Sequence, residues 1–368
     1  MARRALQVRL VGVAAAAVVL MTTVLLKAQQ PTQQGQQQGQ VPPPRPPLSA
    51  QTHLEIGNPR APRLLTGAPM PAPAENPITE AKTALGEKLF FDRVLSKDRS
   101  VSCSTCHEPE HAFADTRPLA VGIFGRVGKR HSPALINRGF GRIHFWDGRA
   151  ATLEQQVLMP IQDPNEMDLT LDEAVSRLAA DRSYVTAFQD VFGGPPAADG
   201  LSRALATFLR SIRSDSSAYD KFVGGDTTAL TDEQKLGLNL FRGKGRCIIC
   251  HAEPFFTDES FRNTGIAWRV DPILGVGALQ DEGRAAISGV GPDRGAFKTP
   301  TLREVANSAP YMHDGSLPTL DDVVNFYDGG GRPNPTLFPL VRPIGFTPDE
   351  KKAVVAFLRS LSSSSIRK

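Results

Sequence analysis

Apolar residues recur at helical spacing in two distant stretches of the chain, and the two stretches are near copies. Ala204-Leu205-Ala206-Thr207-Phe208-Leu209-Arg210-Ser211-Ile212 parallels Ala353-Val354-Val355-Ala356-Phe357-Leu358-Arg359-Ser360-Leu361. Apolar positions at i, i+3, i+4 and i+7 predict an amphipathic helix in each, the second opened by a Thr347-Pro348-Asp349-Glu350 capping box. Another matched pair lies upstream: Leu85-Gly86-Glu87-Lys88-Leu89-Phe90 and Leu236-Gly237-Leu238-Asn239-Leu240-Phe241. Asn76-Pro77 can cap and start the first of these helices, and Thr231 with Gln234 forms a capping box for the second. A shorter helix is predicted over Leu320 to Tyr327.

The N-terminus follows another pattern. Arg3, Arg4 and Arg9 precede an apolar run from Leu10 to Leu26, closed by Lys27. This is an export signal, and residues 1–28 read as a signal peptide or an uncleaved membrane anchor, because a run of about 17 residues suits either. Export places the rest in the periplasm. Residues 29–48 are almost all Gln, Gly and Pro, and Pro and Ala remain frequent up to residue 75. Such a composition buries too little apolar surface to offset the entropy of ordering, so 29–75 reads as a disordered tether. Folding is expected to begin near Asn76, which leaves 293 residues for two domains, 76–220 and 221–368. The formal charge of +4 divides into +6 over the first 64 residues and −2 over the remainder. No basic body is left for nucleic-acid binding, which needs a cationic face.

All four cysteines fall in two motifs, Cys103-Ser104-Thr105-Cys106-His107 and Cys247-Ile248-Ile249-Cys250-His251. Each is the C-x-x-C-H attachment sequence of c-type haem: two thiols add to the haem vinyl groups and the His reaches the iron. Zinc would need four ligands per site, and a redox dithiol would need no His in step. Each half therefore runs helix, haem motif, loops, closing helix. The expected fold is mainly α, two tandem cytochrome c-like haem domains with long loops.

A further repeat holds a constant offset of 167. Ser132-Pro133-Ala134-Leu135 matches Thr299-Pro300-Thr301-Leu302, and Asp147-Gly148 matches Asp314-Gly315. At that offset Trp146 corresponds to His313 and Pro160 to Tyr327. What occupies the second face of each iron decides between electron carriage and peroxide chemistry. Met312, His313 and Tyr327 are the candidates at the second haem. Near the first, Pro160 offers no donor atom, Glu166 is a carboxylate able to move a proton between peroxide oxygens, and His111 and His131 are alternative ligands.

From about residue 76 to 365 the chain resembles the bacterial diheme cytochrome c peroxidases, and within them the MauG-like branch. The resemblance is carried by the two C-x-x-C-H motifs, Phe145-Trp146-Asp147-Gly148-Arg149-Ala150-Ala151, Asn165-Glu166-Met167 and Pro310-Tyr311-Met312-His313-Asp314-Gly315. It implies two covalently bound c-type haems, the first reacting with hydrogen peroxide and the second transferring electrons. It places the catalytic acid on Glu166, the distal Gln on Gln156, the inter-haem Trp on Trp146 and a distal-pocket proline on Pro160. The second haem would take Tyr327 opposite His251, where the peroxidases have Met. Many of the peroxidases close the first haem with a loop His; Ile123 stands there, which implies an open face. The family's calcium ion between the haems is implied as well, although its Asn ligand appears here as His131. The branch's surface Trp, two residues before the second motif, is replaced by Gly245.

Electrons would come from a small c-type cytochrome or a cupredoxin, or, in the MauG manner, from a residue of a protein substrate. The rival from another class is a non-catalytic electron-transfer or redox-sensing cytochrome. Nucleotide binding has no support, since neither Gly275-Val276-Gly277 nor Gly289-Val290-Gly291 is completed by a third glycine.

Overall fold

Two helix pairs organise the chain, and each crosses at a glycine. In the first half, helix Glu80–Phe91 packs on helix Ala198–Ser211, and in the second, Asp232–Arg242 packs on Pro348–Arg359. A Cβ on Gly86 would overlap the Ala204 carbonyl, and one on Gly237 would overlap the Ala353 carbonyl. The bare backbone lets the axes approach closely. Around each crossing sits a set of three phenylalanines. Phe90, Phe113 and Phe208 meet with ring centroids 5.0–6.4 Å apart, and Phe241, Phe256 and Phe357 repeat the arrangement at 5.2–5.9 Å. Each set belongs to its own hydrophobic cluster.

The structure is a computed structural model that describes residues 65–270, 277–363 and 366. The expected leader over 1–28 and the tether over 29–64 lie outside the described residues. Among those described, no helix is long and apolar enough to cross a membrane. Residues 65–75, assigned above to the tether, already pack: Leu65 and Ala68 are buried, and the Thr66 hydroxyl donates to the Asp215 carbonyl. Proline-rich composition hid the burial of Leu65 and Ala68.

The capping boxes at Thr231 and Thr347 form. Asn76, in contrast, caps nothing. The first helix starts at Glu80, with the Thr79 hydroxyl accepting from the Lys82 amide. Asn76 is buried; its amide oxygen accepts from the Lys82 ammonium and its NH2 donates to Glu154. That removes it from the helix end. The Leu320–Asp328 helix agrees with expectation and carries a Thr319–Asp322 capping box.

Strands are few and short: Phe261–Arg262 pairs antiparallel with Phe297–Lys298, and Trp268–Val270 with Gly277–Leu279. The halves, which lie in one compact unit, are joined by reciprocal bonds at the 167 offset. His131 N–H donates to the His313 carbonyl at 2.8 Å, while Lys298 N–H donates to the Trp146 carbonyl at 2.7 Å. The sequence repeat is thus also a repeat of hydrogen bonds, each made across to the other half.

Candidate active site

Each phenylalanine set fixes a histidine. Phe113 and Phe256 adopt positive φ (58° and 53°), which turns their carbonyls toward the motif imidazoles. His107 Nδ1 lies 2.8 Å from the Phe113 carbonyl, and His251 Nδ1 lies 2.9 Å from the Phe256 carbonyl. A carbonyl only accepts, so Nδ1 carries the proton and Nε2 keeps its lone pair for a metal. Burial lowers both imidazole pKa values and keeps the rings neutral. Cys103, Cys106, Cys247 and Cys250 are free and half-buried. Burial pushes their thiols up to between about 11 and about 12.

Opposite the first motif, the short helices Leu153–Gln156 and Met159–Gln162 bring Gln156 and Pro160 to one place, and the following turn brings Glu166. His107, Cys103, Cys106, Gln156, Pro160 and Glu166 all line one small cavity of about 80 Å³. The Glu166 carboxyl makes no hydrogen bond there among the described residues; burial, with Asp163 adding and Arg149 opposing, pushes its pKa up to about 7. Met167 also lines this cavity and is part of the first hydrophobic cluster. It is the one further side chain there with a donor atom soft enough for haem iron, and the sequence reading passed over it as the neighbour of Glu166.

A larger cavity of about 1220 Å³ runs from the first motif to the second and is lined by His107, Trp146, Glu166, His313, His251 and Tyr327. Trp146 stands edge-on to His313, centroids 6.4 Å apart, and His313 stacks on Phe297 at 3.6 Å. The Trp146 indole N–H donates to the His131 carbonyl at 2.8 Å. Tyr327 reaches the cavity from the Leu320–Asp328 helix, and its hydroxyl makes no hydrogen bond among the described residues. Burial and the two nearby thiols raise its pKa. Met312 and His313 line the same cavity.

The donor set fits two haems. Besides the iron and the vinyl groups, haem brings carboxylates, and the cavity is lined by cations with donor atoms to spare, although Arg262 also pairs with Asp258 and Arg246 also donates to the Arg342 carbonyl. The Nε atoms of Arg246 and Arg262 are buried and unbonded, and the Lys298 ammonium, held down to about 7 by burial, makes no hydrogen bond among the described residues. Position 298 is the 167-offset partner of 131, so the repeat marked the place but not the charge. His111 lines neither cavity and is half-exposed beside Glu108. Ile123 is fully buried in the first cluster. Calcium takes oxygen donors, whereas the His131 Nδ1 is held by the Arg117 carbonyl at 3.1 Å. That side chain does not fit as a calcium ligand, and no step below uses the ion.

Comparison with known proteins finds relatives over most of the chain. The model of the di-haem cytochrome c peroxidase family matches residues 80–228. The methylamine utilization protein MauG of Methylorubrum extorquens is 40% identical over 297 residues, 80% of this chain and 82% of that protein. Cytochrome-c peroxidase IdrP1 of Denitromonas iodatirespirans is 35% identical over 332 residues, 83% of this chain and 88% of the relative. The crystal structure of a MauG-like protein associated with microbial copper homeostasis matches with a TM-score of 0.74 and 31% identity, covering 84% of this chain and 96% of that one.

Proposed function

This chain belongs to the di-haem cytochrome c peroxidase family, and on that premise we propose an exported peroxidase whose halves, 76–220 and 221–368, divide the reaction. Cys103, Cys106 and His107 would hold the peroxide-reactive haem, and Cys247, Cys250, His251 and Tyr327 the electron-transferring one. When bound, haem supplies an iron that takes peroxide and the redox capacity to reduce it. Glu166 would take the proton from one oxygen of hydrogen peroxide and return it to the other, which leaves as water as the O–O bond breaks. Gln156 orients the peroxide by hydrogen bonding, and Pro160 walls the pocket without offering a ligand. Two electrons and two protons complete the reduction of hydrogen peroxide to two waters. Trp146 and His313 supply the aromatic bridge between the halves. The electrons come from a small c-type cytochrome or a cupredoxin.

The observation that carries this reading is the small cavity that Glu166 and Gln156 line together with His107, whose Nδ1 is held by the Phe113 carbonyl. Gly245 favours a diffusible donor over oxidation of a partner's residue by way of that position. A Cβ there would meet the Leu240 carbonyl and the Phe346 ring at 2.9 Å and Cys247 Sγ at 3.1 Å, so a larger side chain would have to displace its neighbours.

Met167 supports the second reading, an electron-transfer cytochrome in which its sulfur closes the first iron. Ferric electron paramagnetic resonance separates the two. One high-spin and one low-spin haem are expected, and Met167→Leu should leave that spectrum as it is; two low-spin signals, one of them lost in Met167→Leu, would mean an electron carrier. Tyr327→Phe should convert the low-spin signal to high spin. Its survival would pass the ligand role to Met312 or His313.

A further inference from the structure

The loop Ala120–Gly128 is a tight hairpin laid along the turn that carries Glu166. Its arms are joined by the Val121–Val127 bridge and by Gly128 N–H donating to the Ala120 carbonyl at 2.8 Å. Three features fasten its inner side to the turn. Ile123 N–H donates to the Glu166 carbonyl at 2.9 Å. Arg126 donates to the Pro164 carbonyl and pairs with Asp168. Gly122 lies with its Cα against the backbone of 165 and 166, where a Cβ would overlap the Asn165 carbonyl and come within 2.7 Å of the Glu166 Cα. Gly122 itself has an ordinary φ of −90°, so glycine is required there for closeness and not for a special conformation. The turn is tied from within as well, the Asp163 carbonyl accepting from the amides of 166, 167 and 168. Backbone contacted on both sides in this way has no freedom to slide.

We infer that this loop is a positioning element for peroxide chemistry, with Gly122 as the contact that fixes where the Glu166 carboxyl stands. The inference rests on the role given to Glu166 above. A carboxyl that moves a proton between two oxygens must be placed to within a fraction of an ångström, and a shift of about 1 Å costs as much as 10²-fold in rate. With Cys103 and Cys106 joined to haem as thioethers, the charged groups facing Glu166 come from two elements: Asp163 from its own turn and Arg149 from the segment after Trp146. A displaced carboxyl changes its distance to both of them.

The test is a double-mutant cycle on the holoprotein, reading the stopped-flow rate of the haem absorbance change with hydrogen peroxide across pH. Gly122→Ala should slow the reaction by roughly 10- to 10²-fold and move its pH midpoint toward the ordinary carboxyl range. In a Glu166→Gln background the same change should cost less than about 2-fold, since nothing remains to be misplaced. Equal losses in both backgrounds, or an unmoved midpoint, would overturn the inference. Should Gly122→Ala not accumulate as folded protein, Arg126→Ala is the substitute: Arg126 is 42% exposed, and its removal loosens the same turn. A midpoint that stays put in that variant refutes the positioning role. Wild-type rates in Glu166→Gln would instead refute the assignment of Glu166, so the two failures are told apart.

Discussion

Glu166→Gln is expected to slow peroxide consumption by about 10²- to 10⁴-fold, the range in which a positioned proton-transfer group contributes, with both haems still attached and the low-spin signal unchanged. The side chain keeps its shape and loses only the ability to exchange a proton. The sign of the pH dependence follows from its environment. Burial in the small cavity and the like charge of Asp163 outweigh Arg149 and set the carboxyl near pH 7. The form that accepts the peroxide proton is the carboxylate, so the wild-type rate should rise with pH through a midpoint near 7, and this limb should be missing in the Gln variant. Stability should move the other way. A carboxyl pKa raised on folding favours the protonated native state; that contribution is complete below the ordinary carboxyl range and is lost as pH rises through about 7. The Gln variant should therefore gain on the wild type between pH 5 and pH 8 in thermal melts. Wild-type turnover in the Gln protein would remove Glu166 from the mechanism.

Local signals were legible in the chain and long-range ones were not. The boxes at Thr231–Gln234 and Thr347–Glu350 need only residues three apart, and both form. Asn76 failed as a cap because its amide is claimed by Glu154, 78 residues away, a contact with no local trace. The 167 offset marked corresponding positions in the two halves, yet it could not show that His131 and Lys298 each bond to the opposite half. Glu166 and Gln156 were readable as candidates from the resemblance, and the structure places them at one cavity. The contact of Gly122 with that turn lies over a gap of more than forty residues, and a lone glycine in a loop rich in glycine carries no warning of it. A candidate such as Met167 stays hidden for a related reason: a buried methionine reads as core until a cavity is seen beside it.

Gly86→Ala should destabilise the protein by about 3 kcal/mol, the upper part of the range for overpacking, and Gly237→Ala should do the same. A single methyl produces this because nothing soft stands opposite. At both crossings the new Cβ meets a carbonyl of the facing helix, and next the Cβ of Phe208 at 2.8 Å or of Phe357 at 2.7 Å. Relief requires the helices to part, which separates Phe90 from Phe208 or Phe241 from Phe357. Those rings pack on Phe113 and Phe256, whose carbonyls hold Nδ1 of His107 and His251. The damage should therefore reach the haem sites in a half-specific way: Gly86→Ala perturbing the peroxide-reactive spectrum first, Gly237→Ala the low-spin one. Intrinsic propensity alone predicts the reverse sign, since Ala favours a helix interior over Gly by about 1 kcal/mol. Gly194→Ala serves as the control, because a Cβ there meets nothing within 4 Å, and it should stay within about 0.5 kcal/mol of the wild type. Thermal melts paired with haem absorbance decide the matter: an unchanged melting temperature in Gly86→Ala would mean that the two helices do not cross as closely as their glycine implies.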